Sequence, residues 1–124
     1  DFALWVEPID EAIHTVTAAN LDSLLDDVIV ISYPIIKTVD VDYRVQGRVD
    51  RFDADENGLV VLTVQWVVVD SKDEPVIAPQ RQRYEAKALN RDSPDAVANA
   101  MNEALEAFSR DVAASLKPVR LQAG

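Results

Sequence analysis

The chain has no cysteine, only three glycines, one histidine and one methionine in 124 residues. Without cysteine there are no disulfides, no thiol catalysis and no cysteine-ligated metal. The compartment stays open, because envelope proteins often lack the residue too. So few glycines leave no Gly-rich phosphate loop. The single His14 follows Asp10 by four residues and Glu11 by three. A metal site would need further nitrogen or sulfur ligands, so His14 reads as a surface histidine among carboxylates. None of the serines sits in a nucleophile-elbow context. Basic residues are also scarce, 12 against 22 acidic for a net charge of −10. That charge repels nucleic acid and anionic lipid and serves solubility. No apolar run approaches the roughly 18 residues of a membrane-spanning helix, and no signal peptide is present.

What is present is one domain's worth of apolar pattern, with 48% hydrophobic residues. An apolar run, Phe2 to Val6, leads through Glu7 into Pro8, a good first residue for a helix. The helix is expected over Pro8 to Leu25, with a stripe of Ile9, Ile13, Val16, Asn20 and Leu24 widened by Ala12, Leu21 and Leu25. Val28 to Tyr33 is β-branched and ends at Pro34, which predicts a strand buried on both faces. Val41 to Val49 alternates as a strand with one wet face. The phase slips between Val49 and Phe52, which predicts a bulge that turns both inward. Asp53 to Gly58 predicts a hairpin turn, and its acids, with Asp50, lack the spacing of a calcium loop.

Leu59 to Val69 is the most apolar strand, with Val60, Leu62, Val64, Trp66 and Val68 on one face. Trp5 and Trp66 read as core aromatics. A turn over Asp70 to Pro75 leads to a polar strand, Val76 to about Ala88, whose Pro79 argues for an edge or a break. Ser93-Pro94-Asp95 opens a second helix carrying Val97, Met101, Ala104, Leu105, Phe108, Val112 and Leu116, with Pro118 expected to end it before a loose tail. The order predicts an α+β fold: a two-layer sandwich, two helices packed on one face of a mainly antiparallel sheet.

Arg44, Arg48, Arg51, Arg81 and Arg83 fall on strands. Arg44, Arg48, Arg81 and Arg83 are the candidate partner-binding residues, a basic stripe suited to an acidic partner, a lipid head group or acidic helix positions of a neighbouring copy. The alternative is cross-strand pairing with Asp50 or Glu85. No catalytic constellation, cofactor site or metal site is expected.

Leu4-Trp5-Val6-Glu7-Pro8-Ile9-Asp10-Glu11-Ala12, followed by Ala19-Asn20-Leu21, resembles the Trp-Ala-Glu-Pro-Leu signature of the ABC-type transport auxiliary lipoproteins, the PqiC-like family. Tyr33-Pro34, Asp42-Tyr43-Arg44-Val45 leading to Arg51-Phe52, Leu62 with Trp66, and Ala100 to Leu105 continuing into Leu116 match in order. Val6 stands where the family has a small residue, and the family's signal peptide, lipobox cysteine and first strands are not in the sequence. The resemblance implies a single domain over residues 1–124, lacking its N-terminal strands and lipoprotein signal. It implies a non-catalytic lipoprotein on the periplasmic side of the outer membrane, lipid-anchored through an upstream segment. Its implied partner is an MCE-domain protein of an ABC lipid transport system that supports membrane integrity, and homo-oligomers are expected. A small-ligand or lipid-binding periplasmic module, with a pocket between helices and sheet, is the alternative.

Overall fold

The computed structural model describes residues 2–6, 14–25, 28–31 and 42–123. In chain order the elements are β1 (Phe2–Val6), α1 (His14–Leu24), β2 (Val28–Ile31), β3 (Tyr43–Ala54), β4 (Leu59–Asp70), β5 (Pro75–Lys87) and α2 (Pro94–Ala123). The sheet order is β2-β1-β3-β4-β5. β1 runs parallel to both its neighbours, and the long β3–β4 and β4–β5 ladders are antiparallel. The helices pack on each other, and α2 lies on β4 and β5. This is the expected α+β sandwich.

β4 is the centre of the molecule. Its even residues, Val60, Leu62, Val64, Trp66 and Val68, are at most 2% exposed and face the helix layer. Phe108 of α2 meets this row, its ring edge-on to Trp66 with centroids 6.1 Å apart and planes at 76°. Tyr84 of β5 also packs against Phe108, with ring centroids 6.0 Å apart. The Tyr84 hydroxyl donates to Asp111 Oδ2 at 2.6 Å, tying the sheet to α2.

The bulge is where the alternation predicted it. Val49 pairs with Val64 and Arg51 with Thr63, so Asp50 is the extra residue. Val49 and Phe52 both pack against the core. β5 is an edge strand among the described elements, and its register shifts near Ala78-Pro79 and again at Val76.

Both hairpins are built on an aspartate. Asp55 Oδ1 accepts from the backbone N–H groups of Asn57 and Leu59 at 2.8 and 2.9 Å, and Asp70 Oδ1 accepts from those of Lys72 and Glu74 at 2.8 and 3.0 Å. The fourth residue of each turn has positive φ, Gly58 at 81° and Asp73 at 64°. At Gly58 a Cβ would lie 2.9 Å from Arg91 Cβ, so glycine is needed for both conformation and space.

Ser93 caps α2, its Oγ accepting from the Ala96 N–H at 3.3 Å. Four expectations need correction. Pro118 does not end α2, which continues to Ala123, so there is no loose tail over 119–123. Proline frees only the Ala114 carbonyl, and both residues are on the exposed side, where water hydrates it. β2 (Val28–Ile31) is an edge strand among the described elements with Val30 half-buried, because the crossover through α1 adds it outside β1, and residues 32 and 33 of the expected strand lie outside the described residues. In α1 the buried face is Thr17, Ala18 and Leu21, followed by Leu25, while Leu24 is 36% exposed. The helix is turned toward α2, where the Asn20 side chain donates to Ser109 Oγ at 3.3 Å. The Glu7-Pro8 junction, Ile9, Ile13 and the side chains of Trp5 and His14 lie outside the described residues.

Two stability outcomes follow. Phe108→Ala removes the ring between Trp66 and Tyr84 and lowers unfolding free energy by about 3–5 kcal/mol in urea titration. Gly58→Ala meets a left-handed backbone and a close neighbour, and costs more than about 1 kcal/mol by the same measurement.

Candidate interaction surface

The face of the sheet turned away from the helices gathers the arginines. Arg48, Gln65 and Arg81 form one cross-strand row, and Arg51, Thr63 and Arg83 the next. Arg44 lies beside Val69 farther along. All four candidate arginines therefore share one surface, and among the described residues no helix covers it. Arg51 joins them only because the bulge returns β3 to phase after Asp50.

Each arginine holds a carboxylate of its own chain. Asp50 is the hub: Gln65 Nε2 donates to Oδ2 at 2.9 Å, Arg48 Nε lies 3.1 Å from Oδ1 and Arg81 Nε 3.3 Å from Oδ2. The Gln65 amide above all, with Arg48 and Arg81, holds the Asp50 carboxyl below the usual range. Arg51 pairs with Asp53 at 2.8 Å and Arg83 with Glu85 at 3.2 Å. Arg44 pairs with Asp73 across the second hairpin. Five arginines thus meet four carboxylates, leaving this face slightly basic on a chain of net charge −10. The cross-strand pairing with Asp50, one of the alternatives read from sequence, is present, whereas Glu85 pairs within its own strand.

Three of the four candidate guanidiniums are open to water, while Arg44 and the Asp50 carboxylate, 19% exposed, are partly covered. Side chains of Arg48, Arg81 and Arg83 are 72%, 65% and 55% exposed, and Arg44 is 24% exposed. Such exposed pairs contribute little to stability. They fix the guanidiniums in place and leave further N–H groups pointing outward for acceptors on another surface.

A second feature lies in the helix layer. Val16 of α1, Val49 and Phe52 of β3, and Ala98, Met101 and Leu105 of α2 line an apolar cleft of about 400 Å³, with Asn102 beside them. The sequence predicts a pocket between helices and sheet but not which residues line it. Val49 and Phe52 reach it from one face because of the bulge.

The titration shifts lie away from neutrality. Asp55, held by the Leu59 and Asn57 amides, titrates below its ordinary value, and burial raises Tyr43 and Tyr84, with Asp111 adding to the Tyr84 shift. Among the described residues there is no group of three or more His, Asp or Glu able to hold a metal ion.

No curated protein matches the chain by sequence. Several solved structures share its fold. A crystal structure of an uncharacterised protein superposes with a TM-score of 0.78 at 18% identity, covering 94% of this chain and 92% of that one. A Xanthomonas campestris protein gives 0.68 at 14%, covering 90% and 81%. The PelC dodecamer from Paraburkholderia phytofirmans gives 0.58 at 15%, covering 94% and 86%. At these identities the likeness is one of fold. The sequence itself matches a family over residues 1–113, and the chain therefore belongs to the ABC-type transport auxiliary lipoprotein component family.

Proposed function

We propose that this protein is a non-catalytic, periplasm-facing subunit of an MCE-type ABC lipid transport system. It is lipid-anchored at the outer membrane and docks onto its MCE-domain partner through the arginine-bearing sheet face, supporting membrane integrity. It also self-associates. The observation that carries this reading is the sheet face that no described helix covers, where Arg44, Arg48, Arg81 and Arg83 stand side by side on an auxiliary-family fold. Self-association draws on the dodecameric state of the PelC structure that shares the fold.

A second reading, a lipid-binding module, draws on the apolar cleft. Native mass spectrometry after mild extraction separates the two, since a module of that kind retains phospholipid.

Immobilised MCE-domain protein is expected to retain the wild-type chain. Arg48→Glu with Arg81→Glu places two carboxylates beside Asp50, which lowers the melt slightly while the chain stays folded, and weakens retention by about tenfold or more; Arg48→Gln with Arg81→Gln, which adds no charge, weakens retention with a melt near that of wild type. Equal retention of the double variant removes the docking face, and no retention of wild type removes the partner.

A further inference from the structure

We infer that two copies of this protein join edge to edge, β5 of one lying antiparallel beside β5 of the other, with Arg83 of each copy opposite Glu85 of the other. The inference rests on the self-association proposed above and names its contact.

The backbone at this edge has hydrogen bonds to offer. The Ala88 N–H donates to the Gly58 carbonyl at 2.8 Å, which makes Gly58 and Ala88 a hydrogen-bonded pair at the end of the β4–β5 ladder. Hydrogen-bonded and non-hydrogen-bonded pairs alternate along an antiparallel ladder. By the register, the bonds to β4 then come from Ala86, Tyr84, Gln82 and Gln80, opposite Val60, Leu62, Val64 and Trp66. The N–H and carbonyl groups of Arg81, Arg83, Glu85 and Lys87 therefore point away from β4. β5 is the last strand of the sheet, and among the described residues no other strand meets these groups. Pro79 and the register shifts interrupt β5 before Gln80, whereas Gln80 to Lys87 keeps one unbroken register. A regular edge of that length is a template for another strand.

The side chains select a second copy of β5 as that strand. Arg81 is held on Asp50 at 3.3 Å, and Lys87 helps to hold the Asp55 carboxyl below its ordinary range. Arg83 and Glu85, 3.2 Å apart, remain as the charges in the middle of the edge. This couple is neutral, so a strand carrying one sign of charge gains little from it. A second β5 running antiparallel presents the same couple reversed, placing Arg83 against Glu85 and Glu85 against Arg83. Both are edge-facing residues, so each opposed pair also exchanges backbone hydrogen bonds. Sliding one strand by two residues instead puts Arg83 against Arg83, or Glu85 against Glu85, on the two-fold axis. Like charges directly opposite are unfavourable, so the sequence of the edge specifies a single register.

In that register the two-fold axis passes Tyr84. Its ring lies on the helix side, packed on Phe108, with the hydroxyl donating to Asp111 at 2.6 Å. Tyr84 meets Tyr84 of the second copy as a non-hydrogen-bonded pair, the position where opposed side chains come closest and aromatic pairs are favourable. A ring already held at both ends loses little order on pairing. The contact is isologous and closes with two copies. It makes one continuous sheet of the two five-stranded ones and leaves Arg44, Arg48 and Arg81 uncovered.

Sedimentation velocity of wild type, Arg83→Glu and Glu85→Arg tests this. Wild type is expected to form dimers. Each variant alone sets like charges opposite one another at both pairs and is expected to dimerise about tenfold or more weakly. Each stays folded, because the ion pair it loses is exposed. An equimolar mixture of the two variants restores both opposed pairs in a heterodimer, and is expected to associate about as tightly as wild type. Repair within one copy cannot produce that result, since each variant still lacks its own Arg–Glu couple. Variants that dimerise as wild type does, or a mixture no tighter than its components, overturn the contact and leave self-association standing. A wild type that is monomeric throughout removes both. Arg83→Pro deletes an edge-facing N–H that makes no bond to β4, and is expected to abolish the dimer. Dimers that persist in Arg83→Pro while retention by immobilised MCE-domain protein is lost assign the edge to a strand of that partner and overturn the contact.

Discussion

Val61 and Val69 are 1% and 6% exposed, yet they belong to the sheet face that no described helix covers. The constraint behind much of this structure is that β4 must be kept dry on both sides. On the inner side this is simple: α2 lays Phe108 over Trp66, and apolar contact does the rest. On the outer side the cover comes from neighbouring strands. Val61 sits between Asp53 and Glu85, Thr63 between Arg51 and Arg83, and Val69 between Arg44 and Pro75. Long arginine stems shield apolar surface while the guanidiniums stay wet. Ion pairing holds those heads in one geometry, so the arginines act as a roof for β4 before they act on anything else.

The bulge at Asp50 links the two layers. Without the extra residue, a continuous alternation through β3 would turn either Val49 or Phe52 outward. With it, both line the inner cleft, Arg51 joins the outer face, and Asp50 is placed to bind Arg48, Gln65 and Arg81 together. One inserted residue therefore shapes the apolar cleft and organises the basic surface on opposite sides of the same sheet.

How far this was legible in sequence differs by element. The alternation in Leu59 to Val69 and the slip at Val49 to Phe52 are period-two signals, and a sheet with one helix-covered face enforces that period. The cap at Ser93 was legible for a similar reason, as local chemistry. The rotation of α1 was not, since the spacing that puts Asn20 on the inner stripe also puts Leu24 there, whereas packing against α2 buries Thr17, Ala18 and Leu21 and leaves Leu24 exposed. Pro118 misled because a proline's effect depends on whether the carbonyl it frees can reach water. The arginines were visible on their strands, but their pairing with Asp73 and the hub at Asp50 depend on register and turn geometry that spacing does not carry.

The placement of these features also bears on the kind of contact that each side of the sheet suits. A face roofed by exposed ion pairs is poor at holding a permanent partner, because each pair is already satisfied and screened by salt. It suits an encounter with a charged surface that forms and separates. An apolar cleft suits the opposite case, a contact whose strength comes from excluding water. The sheet keeps the two apart: the outer face of β3 to β5 carries the charge, while the inner face and the helix layer carry the cleft. A charged surface met by the arginines and an apolar group taken up by the cleft therefore do not compete for the same side chains.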